Sequence, residues 1–323
     1  DTSIYNVFYR DDFIFNPARM ELNSIAINDM YDRAICSSLY EVFYVHRTDL
    51  LLPHYLKLII RQKWFTRYCE FLGQGSAREY CRFGNISEIE IEFPPIEEQQ
   101  KIVDYNTAIE NRIALKQKIN DNLLATTQAI YKSWFVDFEP FDNVCPSDWE
   151  NGCVDDIAEF YDSMRKPLSS LERADMERIY PYYGAVSIVD YVNDFIFDGE
   201  YLLLSEDGIY VVDENGHPLL QHITGKFWAN NHAHILKGKS GFNEDSLYLF
   251  LANTNMAPIV TGAAQPKINQ ANLKSFPITI PTSEVIENFN ALIQPFFDQR
   301  LSNEAEVKKL ESLKDLLLSR LVN

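Results

Sequence analysis

The sequence predicts an α+β protein built from two similar halves, each a mixed α/β domain followed by one long helix. Three observations support this prediction. A stretch of about 29 residues recurs at a constant offset, each copy is followed by an apolar stripe with a seven-residue period, and strand-like segments alternate with shorter helical ones. We expect the two long helices to pack antiparallel and to relate the halves by a pseudo-twofold repeat.

The recurring stretch has one order of parts in both copies: a small-residue turn, an alternating apolar segment, a proline stop and an acidic helix start. The offset from Gly75 to Gly262 is 187 residues, and no gap is needed. The copies read LGQGSAREYCRFGNISEIEIEFPPIEEQQ from Leu72 and VTGAAQPKINQANLKSFPITIPTSEVIEN from Val260. The prolines at the end of the apolar segments predict strands that end at Pro94 and Pro281.

The helices that follow carry the seven-residue stripe of helices that pack along a seam. Its members are Ile102, Ile109, Lys116, Leu123 and Ile130 in the first copy, and Phe289, Phe296, Asn303, Leu310 and Leu317 in the second. The third member of each stripe is polar. A polar residue in a seam costs stability and fixes register or orientation.

These patterns divide the chain into four parts. Residues 1–95 form a partial first domain, 96–136 the first helix, 137–283 the second domain and 284–323 the second helix. The offset makes the first half about 51 residues shorter than the second. We therefore expect the first domain to correspond only to the back portion of the second.

In shorter segments within the domains, the spacing of apolar residues indicates the secondary structure. EYLLLSEDGIYVV and AHILKGKSG are typical of strands, whereas YLKLIIRQKWFTRYCEFL, from Tyr55 to Leu72, has a helical period. That helix would place Arg61, Lys63 and Arg67 near aromatic side chains, which fits either phosphate contact or a solvated face over a core. SLYLFLANTN, from Ser246, fits a helix or a strand.

Composition limits the class of protein. The chain has 323 residues, 46% of them hydrophobic, enough for two globular domains. Neither a secretion signal nor an apolar run of membrane-spanning length is present, and the five cysteines form no CxxC pair. We therefore expect a cytoplasmic protein without a disulfide framework, a metal site or contact with a membrane.

Charge argues against simple binding to nucleic acid, because the formal net charge is −18. It is unevenly spread. Residues 1–95 contain 13 acidic and 10 basic residues, a balance of −3, whereas residues 136–283 contain 22 and 9, a balance of −13. Any contact with DNA must therefore come from local basic and amide groups.

The turn of each repeat supplies such groups. Glycines allow close backbone approach, arginine and lysine bind phosphate or guanine, and glutamine and asparagine suit adenine. The candidates are Gly75, Ser76, Arg78 and Arg82 in the first half, and Gly262, Gln265, Lys267 and Asn269 in the second. An ordinary helix-to-strand turn is the alternative interpretation, but the same polar turn appears twice.

NNHAH, from Asn230, adds further candidates. At strand alternation, His232 and His234 would share one face of a strand. DNA contact through Asn231 or His232, or a structural role for the histidines, fits this pattern better than a metal site, since no third ligand lies nearby in the sequence.

Motifs for catalysis are absent from the sequence. It contains no GxxxxGK[ST] loop, no GxGxxG after a strand, no GxSxG, no HExxH and no (N/D)PP(Y/F) element. We therefore expect a chain that catalyses nothing by itself and has no cofactor of its own.

This organisation resembles the DNA-specificity subunit of type I restriction-modification systems, above all in PPIEEQQKIV and in LLATTQAIYKSWFVDF. FIFNPARM, YPYYGAVSIVDYV, WANNHAHIL and TGAAQPKINQANL add to the resemblance. It implies two target-recognition domains that read a bipartite site in double-stranded DNA, and two conserved antiparallel helices that act as a spacer. It also implies partner modification (methyltransferase) and restriction/translocase subunits, on which S-adenosylmethionine and ATP with Mg²⁺ are expected.

Two other classes stay open. An acidic protein that mimics DNA would explain the net charge, although positioned arginine and amide side chains do not favour it. A coiled-coil scaffold without a DNA role would explain the helices alone.

Overall fold

The structure, a computed structural model, describes residues 4–72, 81–262 and 264–320. The chain forms two compact units. Unit 1 contains the residues up to Lys118 and those from Asn303 onward, and unit 2 is Ile119–Ser302. Both combine helices and sheets, so the predicted α+β class is confirmed. The predicted boundaries at residues 95, 136 and 283 stay a prediction.

Unit 1 is built around a small antiparallel sheet in the order β3-β2-β5, beside a two-stranded ribbon of β1 and β4. Because side chains alternate along a strand, Phe13 and Phe15 of FIF point to the same face. Both are buried in a core that also contains Met20, Phe65 and Cys69. The elements are β1 (Tyr5–Tyr9), β2 (Phe13–Phe15), β3 (Ile25–Ile27), β4 (Arg33–Ser37), β5 (Glu41–Phe43), α1 (Pro53–Ile60), α2 (Lys63–Leu72), α3 (Phe83–Ser87) and the first part of α4 (Ile96–Phe135).

Unit 2 contains a sheet in the order β7-β12-β10-β11-β8-β9, in which β8 and β11 are parallel and the other neighbours antiparallel. The elements are β6 (Glu150–Cys153), α5 (Val154–Ile157), β7 (Ala158–Phe160), α6 (Ser170–Ala174), β8 (Tyr180–Tyr183), β9 (Ile188–Val192), β10 (Phe197–Ser205), β11 (Leu220–Ala229), β12 (Ala233–Gly238), α7 (Glu244–Ala252), α8 (Gln270–Lys274), β13 (Pro277–Ile280) and the first part of α9 (Ser283–Ser319).

The central strand β10 is buried on both faces, which explains its continuous apolar sequence. Leu202 and Leu204 pack into the core formed with α7 and α9, whereas Tyr201 and Leu203 pack with Phe197 in a second core on the opposite face. The two cores fix the position of the loop that follows Ser205.

The internal repeat is visible in the structure. The bounds of α3 and α8 differ by the sequence offset at both ends, and the long helices follow at matching positions. In each unit a central strand, β2 or β10, is flanked by the next strand along the chain and by a second antiparallel neighbour. The two units therefore share a common substructure.

Segments of the two long helices pair antiparallel within each unit. In unit 1, Lys116 Nζ donates to Asn303 Oδ1 at 2.9 Å, and Lys314 Nζ donates to Glu110 Oε1 at 2.7 Å. In unit 2, the Phe135 and Phe289 rings contact each other with centroids 4.7 Å apart. Lys116 and Asn303 are equivalent residues of the repeat, since they differ by the same offset of 187.

The seam residues lie on the inner faces of these helices. Ile109, Phe289 and Asn303 are buried. The remainder are half-buried: Ile102, Lys116, Leu123, Ile130, Phe296, Leu310 and Leu317. No helix in the described part of the chain is long and apolar enough to cross a membrane.

Three local expectations need correction. The predicted strand before Pro94 is absent from the described residues of unit 1, although its counterpart β13 pairs with β6 in unit 2. The helix predicted from Tyr55 to Leu72 is two helices, because the chain tightens into a turn in which the Gln62 N–H donates to the Ile59 carbonyl. The ambiguous segment from Ser246 is helical, within α7.

Candidate nucleic-acid interface

The end of β10 brings the second-half candidates together. The Glu206 N–H donates to the His232 carbonyl at 2.9 Å, and the Ile268 N–H donates to the Glu206 carbonyl at 2.8 Å. The segment after the central strand therefore lies between the turn at residues 230–232 and the turn at residues 261–267. Sequence offsets alone did not predict that these two turns are neighbours.

A buried charge network fixes this junction. Arg165 Nη1 lies 2.6 Å from Glu206 Oε2 and donates to the Ala233 carbonyl at 2.7 Å. Burial alone would raise the pKa of Glu206, but hydrogen bonds from Lys267 and Arg165 lower it. Burial would likewise raise the pKa of Asp162, but the hydrogen bond with His234 lowers it. The network keeps both carboxylates ionised and the two turns in place.

The turn from Thr261 to Lys267 is closed by two backbone hydrogen bonds of 2.8 Å between those residues. Gly262 has φ +85, and a Cβ there would lie 2.4 Å from the Gln265 carbonyl oxygen, so only glycine fits. The Gln265 side chain is exposed. Asn269 caps α8 by accepting from the Asn272 N–H at 2.8 Å, which gives it a structural task.

Lys267 is the cation of this turn. Its Nζ lies 2.9 Å from Glu206 Oε1, and the side chain is 43% exposed. The hydrogen bond with Glu206 raises the pKa of Lys267, so the ammonium stays charged at neutral pH. The ammonium is therefore both a partner of Glu206 and accessible to an external anion.

The turn at residues 230–232 corrects one expectation. His232 precedes β12 instead of sharing a strand face with His234, because the strand begins only at Ala233. Asn231 and His232 are exposed, and His232 Nδ1 lies 2.5 Å from Asp207 Oδ1. His234 is fully buried between Asp162 and the Ile268 carbonyl, which is the structural role considered above.

The loop after Asp207 presents two residues that the sequence pattern concealed. EDGIYVV looked like the end of a strand, but β10 stops at Ser205 and Gly208 has φ +148. As a result Ile209 and Tyr210 project with 82% and 72% of their surface exposed. The Asp207-Gly208 pair was the available signal, since this dipeptide favours a turn over strand continuation.

Unit 1 has a corresponding junction. The Cys81 N–H donates to the Pro17 carbonyl at 3.1 Å, as Ile268, its repeat equivalent, donates to Glu206. Gly75, Ser76 and Arg78 lie outside the described residues. Arg82 occupies the N-cap position of α3, as Asn269 does in α8, but there the Arg82 N–H donates to the Asn85 side chain, and the Arg82 guanidinium lies 3.5 Å from Glu41. Exposed Arg19, after β2, is a further basic candidate that only the FIFNPARM motif hinted at.

Two groups of side chains in unit 2 have metal-ligand atoms within 4.8 Å of one another. In the first, the carboxylates of Asp162 and Glu206 already pair with Arg165, and Glu206 also pairs with Lys267, while His234 contacts Asp162 and the Ile268 carbonyl. In the second, His222 lies between Glu200, at 2.6 Å, and Asp245, at 3.5 Å.

Comparison with known proteins decides the family. A family model described as the type I restriction modification DNA specificity domain matches residues 3–125 and 146–314. The chain belongs to this family. The expectation of a DNA-specificity domain rather than a catalytic one is therefore confirmed at the level of the family, and the match includes both junctions described above.

Members of this specificity family resemble the chain over different lengths. It is 36% identical over 143 residues to a putative type I restriction enzyme specificity subunit of Haemophilus influenzae, covering 43% of this chain and 36% of that protein. It is 25% identical over 299 residues to the MjaIX specificity subunit of Methanocaldococcus jannaschii, covering 85% and 69%. The chain thus spans about a third of the first relative's length.

A solved structure supports the specificity-subunit fold. The crystal structure of a type I restriction-modification S subunit from M. genitalium matches with a TM-score of 0.59 at 14% identity. The match covers 99% of this chain and 84% of that chain. At this identity the similarity concerns the fold alone.

Proposed function

We propose that the chain reads a bipartite sequence in double-stranded DNA and directs partner methyltransferase and restriction subunits to it. The observation that carries the proposal is the junction in unit 2. There two polar turns flank the segment after β10, close to an exposed aromatic side chain and on a buried support. Preorganised polar groups on a rigid scaffold suit recognition, because little entropy is lost on binding.

The chemistry of the junction fits DNA contact. Lys267 offers a charged donor to phosphate, Gln265 and Asn231 offer amides to base edges, and Tyr210 offers a ring to sugar or base. Nearby, Arg165 and Lys267 pair with the carboxylates of Asp162 and Glu206, which offsets two of the negative charges at the junction. Unit 1 contributes Arg19 and Arg82 at the equivalent place.

A split target follows from the repeat, since each half supplies one reader. The helix α4 has 40 residues and α9 has 37, hence about 60 Å and 56 Å at 1.5 Å per residue. We propose that these helices set the number of unread base pairs between two half-sites. Successive turns of DNA repeat every 34–36 Å or so, which is the same order of length.

Partner subunits have an apolar surface available along the helices. The exposed side chains are Tyr105 and Leu115 on α4, and Leu292, Leu313 and Leu316 on α9. Apolar side chains spaced along a helix suit docking by helices of another protein. Transfer of methyl groups and cleavage would then be the work of the partners.

The test is binding of duplex DNA by the chain, with and without its methyltransferase partner, followed by mapping of the methylated positions. We expect a specific, salt-sensitive complex and methylation at one bipartite site only when both proteins are present. Methyl transfer by the chain alone with S-adenosylmethionine would contradict the proposal.

The net charge of −18 favours one competitor, a DNA mimic that occupies the DNA groove of a nucleic-acid enzyme. In the same experiment, a mimic would bind the methyltransferase, fail to bind DNA, and lower methylation as its concentration rises. Specific methylation that rises with the chain's concentration excludes this alternative.

A further inference from the structure

One isoleucine at the junction of unit 2 projects into solvent. The strand β10 ends at Ser205, and Ile209 then extends outward with 82% of its surface exposed. Tyr210, the next residue, is 72% exposed. A single exposed apolar side chain is ordinary on most of a protein surface. Ile209, however, follows directly on the segment that lies between the two polar turns, so its surroundings decide what it can bind.

The segment that carries Ile209 is fixed at both ends. On one side, Asp207 forms an antiparallel backbone bridge with Lys267. On the other side, Val211 is buried in the core of unit 2, and its carbonyl accepts from the Leu219 N–H at 3.1 Å. The exposed tip between these anchors is therefore short and held at its base, which limits the conformational entropy that it loses on binding.

Unit 1 presents an aliphatic side chain at the corresponding place. The Pro17 carbonyl accepts from the Cys81 N–H as the Glu206 carbonyl accepts from the Ile268 N–H, so the segments that follow the two carbonyls correspond. In unit 1 this segment contains Leu22, which is 71% exposed. Each half therefore exposes one large aliphatic side chain soon after the carbonyl that contacts the repeated turn.

Leu22 is also held at its base. Met20, two residues earlier, is buried in the core of unit 1. Asn23, the next residue, has φ +51, and its side-chain amide donates to the Ile60 carbonyl at 3.2 Å. The two tips differ in local conformation, but both combine an aliphatic end with a fixed base.

The charge around the two tips favours DNA over an apolar protein surface as their partner. Lys267 pairs with the base of the first tip, and the exposed Arg19 lies three residues before Leu22. Such cations suit the phosphates on either side of a groove. Leucine and isoleucine are among the side chains that proteins insert between base steps, where they unstack and kink the duplex.

We infer that Ile209 and Leu22 are wedges, each of which inserts between two stacked base pairs of one half-site and opens that step. The inference rests on the proposed reading of a bipartite DNA site, and it adds two residues that contribute to specificity. Pyrimidine–purine steps unstack more easily than other steps. A half-site would therefore be selected partly by a step that no polar side chain reads.

The probe is a duplex with the bipartite site mapped by methylation, in which one nucleotide at a time is replaced by an abasic one. Binding is measured with the full chain and its methyltransferase partner, without S-adenosylmethionine. The methylated adenine stays intact throughout, because the partner acts on that base itself. An abasic nucleotide at the opened step removes stacking that the wedge must otherwise break. We expect binding to tighten at least about fivefold at one position in each half-site, and nowhere else.

Substitutions assign each gain to one side chain. Ile209→Ser should abolish the gain in one half-site and leave it in the other, and Leu22→Ser should do the reverse. Ile209→Leu should keep both gains, because the side chain stays aliphatic. The matched controls are Leu171→Ser on α6, at a side chain 82% exposed, and Leu39→Ser between β4 and β5, at one 78% exposed. Both controls should behave as the wild type.

The other outcomes separate the wedges from the proposed function. If the wild type binds the intact site and no abasic position tightens binding, the wedges are wrong and the proposed function stands. Gains that persist in Ile209→Ser and Leu22→Ser also overturn the inference. If these variants lose the methyltransferase partner instead, the tips dock on protein and the inference is wrong. Failure of the wild type to bind any duplex would contradict the proposed function, and the wedges with it.

Discussion

Substitution of Lys267 by alanine tests whether the turn at residues 261–267 touches DNA. If Lys267 binds a phosphate, its removal should lower the magnitude of the slope of log K against log salt by about 0.9. If it only stabilises Glu206, the slope should not change. The slope therefore distinguishes a DNA contact from a structural role.

The expected loss of DNA-binding free energy depends on the ion pair with Glu206, which Lys267 would give up on binding a phosphate. The pair with Glu206 is 2.9 Å long but the lysine is 43% exposed, so breaking it costs about 0–1 kcal/mol. A charge-assisted hydrogen bond to phosphate contributes about 1.5–3 kcal/mol. The net loss for Lys267→Ala is then about 0.5–3 kcal/mol, or roughly 2–140-fold in Kd.

The assay is fluorescence anisotropy with duplex DNA between about 50 and 200 mM salt. Lys274→Ala is the matched control. Lys274 is 39% exposed and lies 3.0 Å from Asp155, so this variant also removes one cation from an ion pair in unit 2. If both variants keep the wild-type slope and Kd, Lys267 does not contact DNA and the 261–267 turn has only a structural role.

Three further outcomes are expected. Burial raises the pKa of Asp245 to about 7, above its unfolded value, so the contribution of Asp245 to stability falls as pH rises from about 4 to 7. Asp245→Asn should raise Tm at pH 8 and have less effect at pH 5 in calorimetry. The double variant Lys116→Leu and Asn303→Leu should raise Tm in the same assay, because it replaces a partly buried polar pair with apolar contacts; a lower Tm would show that the pair stabilises the seam. Seven residues inserted between Lys116 and Leu123 lengthen α4 by about 10.5 Å without changing the seam. Methylation mapping should then show a wider gap between unchanged half-sites. An unchanged gap would contradict the proposal that the helices set the spacing between the half-sites.

The long helices and the repeat could be predicted because both depend on local periodicity. A seven-residue stripe persists through each helix, and the offset was constant from the turn onward. The prediction of a strand before Pro94 was wrong because a strand depends on pairing with a distant segment and not on local periodicity alone. The alternation before Pro94 is the same as that of β13, but a strand exists only when a partner pairs with it, and β6 has no counterpart among the described residues of unit 1.

The junction at Glu206 could be predicted only in part. The turns at Asn231 and Lys267 were recognised, but their proximity depends on Arg165 and Asp162, which lie far away in sequence and carry no motif. His232 was placed on a strand because alternation cannot locate the residue at which a strand begins. Long-range ion pairs and strand ends are tertiary properties, and single-sequence patterns do not contain them.

The contact between Lys116 and Asn303 decides which halves can pair. Because the two are equivalent positions, a protein assembled from two first halves would bring two ammonium groups together at that point, and they would repel each other. Two second halves would place amide against amide, which is tolerated. The single difference between lysine and asparagine therefore makes the first half select a second half over a copy of itself, so the helix pair carries a built-in preference for unlike partners.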